Sequence, residues 1–471
     1  MTQRKTTMKL AFGLLPAMAL CACSMAPKYI APTPPVPASW PVGDAYLAQS
    51  EAGLPLVSYK EIFRDPRLQA LIQQALANNR DLQAAAANVA AARAQITVTR
   101  ANQFPALDVS GSATRTEQGG GSSGDGWSYA ADGGVSSFEL DLFGKLANAT
   151  KAERMTALST EAAARTVRLG LVADLALAWA TYAADKDLLT IAQSTVSNAE
   201  DSVRLTTARL KGGVAPRTDL STAQQVLETA KGDAATQKTA LAQDINAIRL
   251  LVGADFDETL LPAGIDDVNK GLAVLPAGTS SKVLLRRPDV VEAEYDLRAA
   301  NADIGVARAE LFPSISLTGV LGFASDALSS LFTKGAFSAT GEGAASWSIF
   351  NAGGKAANVK AAKAQRDAAL ATYEKAIQTA FSEVADALAD QGTLAERLRA
   401  AKAYTAAAQD TAKLTEASYK EGISSSLDNL DAQRSLYTAR KAEVAVRLAA
   451  ATNRITLYRV LGGDQATAPQ E

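Results

Sequence analysis

The sequence predicts a mixed α/β membrane protein built from one tandemly duplicated unit, in which very long helices alternate with pairs of short, two-faced strands. Three observations predict it. Residue patterns recur at a constant spacing, the hydrophobic period switches from helical to two at matching places in both copies, and the N-terminus reads as an export and lipidation signal. The 471 residues contain only 6% aromatics and much alanine, a composition suited to long, closely packed helices rather than compact globules.

The export signal comes first. Arg4, Lys5 and Lys9 precede an apolar run from Leu10 to Leu20, shorter than the roughly 20 residues a spanning helix needs. Leu20 and Ala22 stand at −3 and −1 before Cys23, similar to a lipoprotein signal-peptidase site. Residues 1–22 are therefore expected to leave as a lipoprotein signal peptide, with Cys23 acylated. Cys21 at −2 departs from the usual small or hydroxyl residue, and ordinary cleavage after Ala22 is the alternative. Ser24, in place of an aspartate, directs a lipoprotein to the outer membrane by default. Residues 23–41, Pro-rich from Pro32 to Pro41, should run extended as a lipidated tether.

The duplication follows. Ala92-Arg-Ala-Gln with Phe104-Pro-Ala-Leu-Asp-Val-Ser-Gly is matched by Ala307-Arg-Ala-Glu in a corresponding context and Phe312-Pro-Ser-Ile-Ser-Leu-Thr-Gly; the Phe-Pro sites are 208 apart (312 − 104). Leu205-Thr-Thr-Ala-Arg-Leu-Lys-Gly-Gly-Val matches Leu414-Thr-Glu-Ala-Ser-Tyr-Lys-Glu-Gly-Ile at 209 (414 − 205), which also places Asp219 on Asp428. The first copy spans residues 66–255 and the second 286–462. Helices are expected near Pro66 to Asn102, Lys145 to Leu210, Arg217 to Leu251, Pro288 to Glu310, Lys355 to Tyr419 and Leu427 to Val460, since Ala, Leu, Gln, Arg and Lys dominate there. At 1.5 Å per residue the longest would extend roughly 100 Å.

Between them the period becomes two. Leu107, Val109, Gly111 and Ala113 alternate with Asp108, Ser110, Ser112 and Thr114, while Ile315, Leu317, Gly319, Leu321 and Phe323 alternate with Ser316 and Thr318. Strand pairs are expected at 104–117 with 127–143 and at 312–325 with 336–350. The parity break from Val135 to Phe138 predicts a bulge or bend, and Gly119 to Gly126 a polar hairpin tip. By themselves such strands also suit a soluble sheet with one wet face. In a bilayer, four strands per chain leave two open edges that must close between copies. Two copies give an eight-stranded barrel filled by its own side chains; three give twelve strands and a wet lumen.

Other classes are disfavoured. A balance of 47 basic and 49 acidic residues gives no basic stripe for nucleic acid, and the absence of histidine removes His-based triads and HExxH zinc sites. No catalytic, cofactor-binding or metal set can be assembled, so neither an enzyme nor a cofactor is expected.

Cys23-Ser-Met-Ala-Pro-Lys-Tyr29 with its Pro-rich tether and Trp40, the paired Phe-Pro sites, Arg286-Arg-Pro-Asp289-Val and the Gly-containing tips together resemble the outer-membrane factor (OprM/TolC-like) efflux channels, in particular NodT-type lipoproteins, over nearly the whole mature chain. The resemblance implies a homotrimer with a twelve-stranded transmembrane β-barrel continued by a long α-helical periplasmic barrel. Equatorial segments would lie at 42–65 and 256–285 and in the tail 463–471. It implies a periplasmic adaptor, an inner-membrane exporter of RND type, outer-membrane lipid and no nucleic acid as partners. The conducted cargo would be drugs or other small toxic compounds. A type I protein-secretion or metal-efflux duct of the same fold stays open, as does a periplasmic coiled-coil scaffold lipoprotein.

The tips, 211–217 and 420–426, carry the candidate site. Gly212, Gly213 and Val214, with Gly422 and Ile423, are expected to meet the adaptor. Asp219, Asp428 and Asp431 fall in or near first helical turns, where carboxylates complement the helix dipole. The resemblance adds a periplasmic gate of Asp428, Asp431, Tyr419 and Asp219, with threefold rings of Asp428 and of Asp431 raising at least one carboxyl's pKa and Tyr419 tying helices together. Ser424 stands where some family members carry an arginine, which leaves open what completes the lock.

Overall fold

In a computed structural model of the chain, residues 24–37, 39–41, 43, 45–46, 58–117, 126–273 and 281–463 are described. The signal peptide, Cys23, the hairpin loop at 118–125 and the tail from 464 lie outside the described residues, as does most of 42–57. The elements in order are α1 (Tyr59–Ile62), α2 (Pro66–Asn78), α3 (Arg80–Ala101), β1 (Asp108–Thr116), β2 (Gly126–Glu139), α4 (Lys145–Lys211), α5 (Arg217–Val252), α6 (Ile265–Gly271), α7 (Pro288–Ala309), β3 (Ser314–Ser325), β4 (Phe337–Ser346), α8 (Gly354–Lys420) and α9 (Ser426–Val460). The duplication is visible in their lengths: α3 and α7 each have 22 residues, and α4 and α8 each have 67.

The expected helix from Pro66 to Asn102 divides at Asn79. That residue is extended at φ −62°, ψ 132°; its side-chain oxygen accepts from Leu82 N at 3.0 Å and starts α3. Its amide nitrogen donates to the Leu251 carbonyl at 3.0 Å. Asparagine competes for backbone partners in this way better than it propagates a helix. Its counterpart at the 208 offset (287 − 79) is Arg287, which donates to the Val460 carbonyl at 3.0 Å. Each copy thus fastens the start of its shorter helix to the end of its returning helix.

The chain forms two units. The strand-bearing unit comprises Met1–Ala31, Ala91–Ala157 and Tyr295–Leu370. Its antiparallel sheet has the order β1-β2-β3-β4, so β1 and β4 are the edges. Every residue of both edge strands is exposed in the single chain. The β2–β3 register shifts between Val135 and Phe138, at the parity break, and the Thr318 hydroxyl donates to the displaced Ser136 carbonyl at 3.0 Å. β2 stops at Glu139, short of the expected 143, because the chain turns into α4, where Asp141 accepts from Ala147 N at 2.7 Å. Likewise β1 starts at Asp108 and not 104, because the chain after α3 still turns back on itself, with Phe104 N bonded to the Ala101 carbonyl at 3.0 Å. Phe143 and Phe312 stack at 4.6 Å beside the strand starts.

The start of the tether is seated on the same unit. Arg308 donates to the Met25 carbonyl at 3.1 Å, Asn301 to the Pro27 carbonyl at 2.8 Å, and the Ser24 hydroxyl to Asn148 at 2.9 Å. A Cβ on Gly305 would lie 2.8 Å from the Ala26 nitrogen, so the segment lies along α7 only because position 305 lacks a side chain. Hydrogen bonds thus hold the segment just before the Pro-rich stretch, at residues 24–27.

The helical unit comprises Pro32–Ala90, Leu158–Glu294 and Ala371–Glu471. Trp179, Leu175, Phe63, Leu71, Ile72 and Ile265 are buried in its core, and the indole of Trp179 donates to the Leu260 carbonyl at 3.0 Å. A single bridge pairs Phe63 with Leu272, flanked by Arg64 N to the Gly271 carbonyl at 2.8 Å and Ala273 N to the Ile62 carbonyl at 2.9 Å.

Candidate functional site

The two helical tips repeat one backbone device. In the first, Gly213 has φ 73°, and Val214 N donates to the Arg209 carbonyl at 3.0 Å. In the second, Gly422 has φ 78°, and Ile423 N donates to the Ser418 carbonyl at 2.8 Å. Only glycine enters this left-handed turn without strain, which is why each long helix ends there. Both turns leave a β-branched apolar side chain outside: Val214 is 77% exposed and Ile423 81%. Gly212 is also exposed.

The returning helices start differently. Ser425 caps α9 in a reciprocal box, in which its hydroxyl accepts from Asp428 N while the Asp428 carboxylate accepts from the Ser425 amide at 3.1 Å. The Ser425 hydroxyl and amide hold the Asp428 carboxyl below its ordinary range. Within one chain, then, the shift is downward, opposite to the rise expected of a carboxylate ring. Asp431 pairs with Arg434 at 2.6 Å, both exposed. In the first tip Pro216 occupies the cap and offers no side-chain bond, so Asp219 sits half-buried in the first turn of α5 without a capping box.

Tyr419 is brought against the other tip. It is 4% exposed, and its hydroxyl lies 3.2 Å from the hydroxyl of Thr206, which is 1% exposed. The Arg209 guanidinium covers the Tyr419 ring at 4.2 Å and donates to the Tyr419 carbonyl at 2.6 Å and the Lys420 carbonyl at 3.3 Å. Ser424 instead donates to the Thr415 carbonyl at 3.2 Å within its own tip. Sequence reading missed Arg209, because a basic residue in a last helical turn is ordinarily a solvated partner of the dipole. Beside these contacts is a cleft of about 610 Å³ lined in part by Ser202, Leu205, Tyr419 and Asn429; the buried Asn429 side-chain oxygen has no hydrogen-bond partner.

A duplicated unit of paired long helices, a four-stranded sheet open at both edges and twin Gly-ended tips define an outer-membrane channel. The chain belongs to the outer membrane efflux protein family, whose model matches residues 71–254 and 279–463. It is 41% identical over 454 residues to the antibiotic efflux pump outer membrane protein ArpC of Pseudomonas putida, covering 95% of this chain and 94% of that one. With the cation efflux system protein CusC of Escherichia coli K12 it shares 37% identity over 447 residues, 95% and 97% of the two chains. The crystal structure of the open state of the Neisseria gonorrhoeae MtrE outer membrane channel superposes with a TM-score of 0.84 at 32% identity, covering 94% of this chain and 99% of that one. The fold class is that of a trimeric channel to which each chain gives four strands of a twelve-stranded barrel, and the protein is an efflux component of the outer membrane.

Proposed function

We propose that the protein is the passive exit duct of a tripartite pump, conducting drugs or other small toxic compounds outward from an inner-membrane exporter of RND type and a periplasmic adaptor. The carrying observation is the sheet whose β1 and β4 each leave one edge unpaired, edges that gain partners when three copies close a wet barrel. Cys23 carries the lipid, and the seated segment from Ser24 leads from it along α7. The exposed Val214 and Ile423, on the turns of Gly212, Gly213 and Gly422, offer matching apolar contacts to the adaptor. Energy comes from the exporter, and no residue of this chain acts as a catalyst. Adaptor contact opens the tips only by binding the open arrangement more tightly than the closed one.

Asp428 and Asp431 line the gate together with Tyr419, and Asp219 supports the first tip. The double variant Asp428→Ala, Asp431→Ala is expected to leak, read as increased uptake of a large antibiotic by cells carrying it. Unchanged uptake would assign both carboxylates to helix capping alone. Cargo is tested by restoring resistance in a strain lacking its own duct. Recovery against solvents and antibiotics supports the drug reading, whereas recovery against metal salts alone transfers the duct to cation efflux.

A further inference from the structure

We propose that Arg209 is the latch that holds the periplasmic tip closed, reaching from the first tip to the second. This inference rests on the duct reading above.

The argument begins with the duplication. At the 209 offset, Arg209 falls on Ser418 and Tyr419 falls on Leu210, so neither residue has a like counterpart in the other copy. The backbone turn is common to both tips, but the pair is not. Each copy supplies one half of a contact that forms between them.

The geometry suits a latch. One guanidinium nitrogen reaches two carbonyls, of Tyr419 and Lys420, at the C-terminal end of α8, where the helix dipole presents negative charge. The planar cation also covers the Tyr419 ring, a stacking that lysine does not reproduce. Below it the Thr206 and Tyr419 hydroxyls meet at 3.2 Å, both residues nearly fully buried, so separation of the tips breaks a dry contact as well as a charged one. Every one of these contacts joins α4 to α8, and none joins a helix to itself. The latch holds no carboxylate, so acid does not release it, and the adaptor must instead compete for the tips.

The test compares the full-length lipidated wild type, Arg209→Ala, Arg209→Lys and Tyr419→Phe, in the outer membrane of a strain without its own duct and in planar bilayers. Arg209→Ala is expected to raise vancomycin uptake and closed-state conductance roughly tenfold or more, the shift in the open–closed ratio that loss of a charge-assisted hydrogen bond supports. The increase should be the same in mildly acidic and mildly alkaline buffer, which a carboxylate gate would not give. Arg209→Lys should leak less than Arg209→Ala, and Tyr419→Phe less again, because it loses only the contact with Thr206. Wild-type uptake and conductance in Arg209→Ala, with efflux restored by the wild type, would overturn the latch and leave the duct standing. A wild type that neither conducts nor restores efflux would remove the duct reading, and the latch with it. Should Arg209→Ala fail to accumulate, Arg209→Lys and Tyr419→Phe decide: a leak in both supports the latch, and a tight duct in both overturns it.

Discussion

Arg287 fastens three helices with one side chain. From the start of α7 it forks onto Asp289 at 2.7 Å, reaches Glu383 of α8 at 2.8 Å and donates to the Val460 carbonyl at the end of α9. Arg287→Ala leaves that carbonyl without its donor and two half-exposed carboxylates without a cation, at a cost of about 2–4 kcal/mol. The thermal midpoint of the helical circular-dichroism signal should fall accordingly, with partial recovery in Arg287→Lys; an unmoved midpoint would mean that water satisfies these groups equally well. The Arg-Arg-Pro-Asp motif stood out in the sequence, but its partners lie 96 and 173 residues away, so its role did not. A second residue-scale prediction concerns pH. Burial, and then the neighbouring charge of Asp185, push the Asp244 carboxyl up to about 6. A carboxyl whose folded value lies above its unfolded one stabilises the fold fully below the unfolded value and loses that advantage as pH rises through about 6. Asp244→Asn should therefore be more stable than wild type at alkaline pH by on the order of 1 kcal/mol, discounted because the residue is only partly buried. Parallel melting profiles of the two proteins from acid to alkaline pH would refute it.

At the scale of elements, the duplication made most of the fold legible. Helices with a continuous run of good formers bounded by glycine, proline or a serine cap were expected within a few residues of where α4, α5, α8 and α9 lie, because propensity and punctuation agree there. The break at Asn79 was not legible, since a lone asparagine is a weak local mark and its amide is drawn out of the helix by a carbonyl 172 residues on. By contrast Leu251-Val-Gly, which falls on Val460-Leu-Gly at the 209 offset (460 − 251), carries its own explanation. Gly253 closes α5 at φ 74°, and a Cβ there would meet the Asn78 carbonyl oxygen at 2.6 Å. Gly253→Ala is thus both strained in its backbone and blocked by the end of α2, and should destabilise by about 2–3 kcal/mol. Chemical denaturation of the detergent-solubilised protein measures this, and a change below about 0.5 kcal/mol would show that the α2–α3 corner yields to the methyl group. The tips show the same division. Their glycines were legible from the sequence because a turn's demand is local, whereas the contact between Arg209 and Tyr419 depends on which helices become neighbours.

At the scale of the whole molecule, the single chain leaves too much surface uncovered to stand alone. The 22-residue helix α3 buries none of its residues, and its hydrophobic face is nearly uniform around the axis. Helices are held chiefly by packing, so one that buries no residue within its own chain needs a neighbour. The strands make the same demand, because every residue of β1 and β4 is exposed and each has one unpaired edge. Placed in a bilayer, such an edge leaves backbone groups that neither water nor lipid can satisfy. Closure by identical copies pairs β4 of one with β1 of the next and brings the helices of neighbouring copies together in the same step. Backbone hydrogen exchange on the assembled protein should therefore find β1 and β4 as slow as β2 and β3, although only the latter two are paired on both sides within a chain. Amides of α3 should be slow as well, and all three should become fast in detergent that separates the copies while β2 and β3 stay protected. If β1 or β4 exchanges freely in the assembled particle, the barrel does not close between copies, and the exposed strands must be covered by something other than a second chain of the same kind.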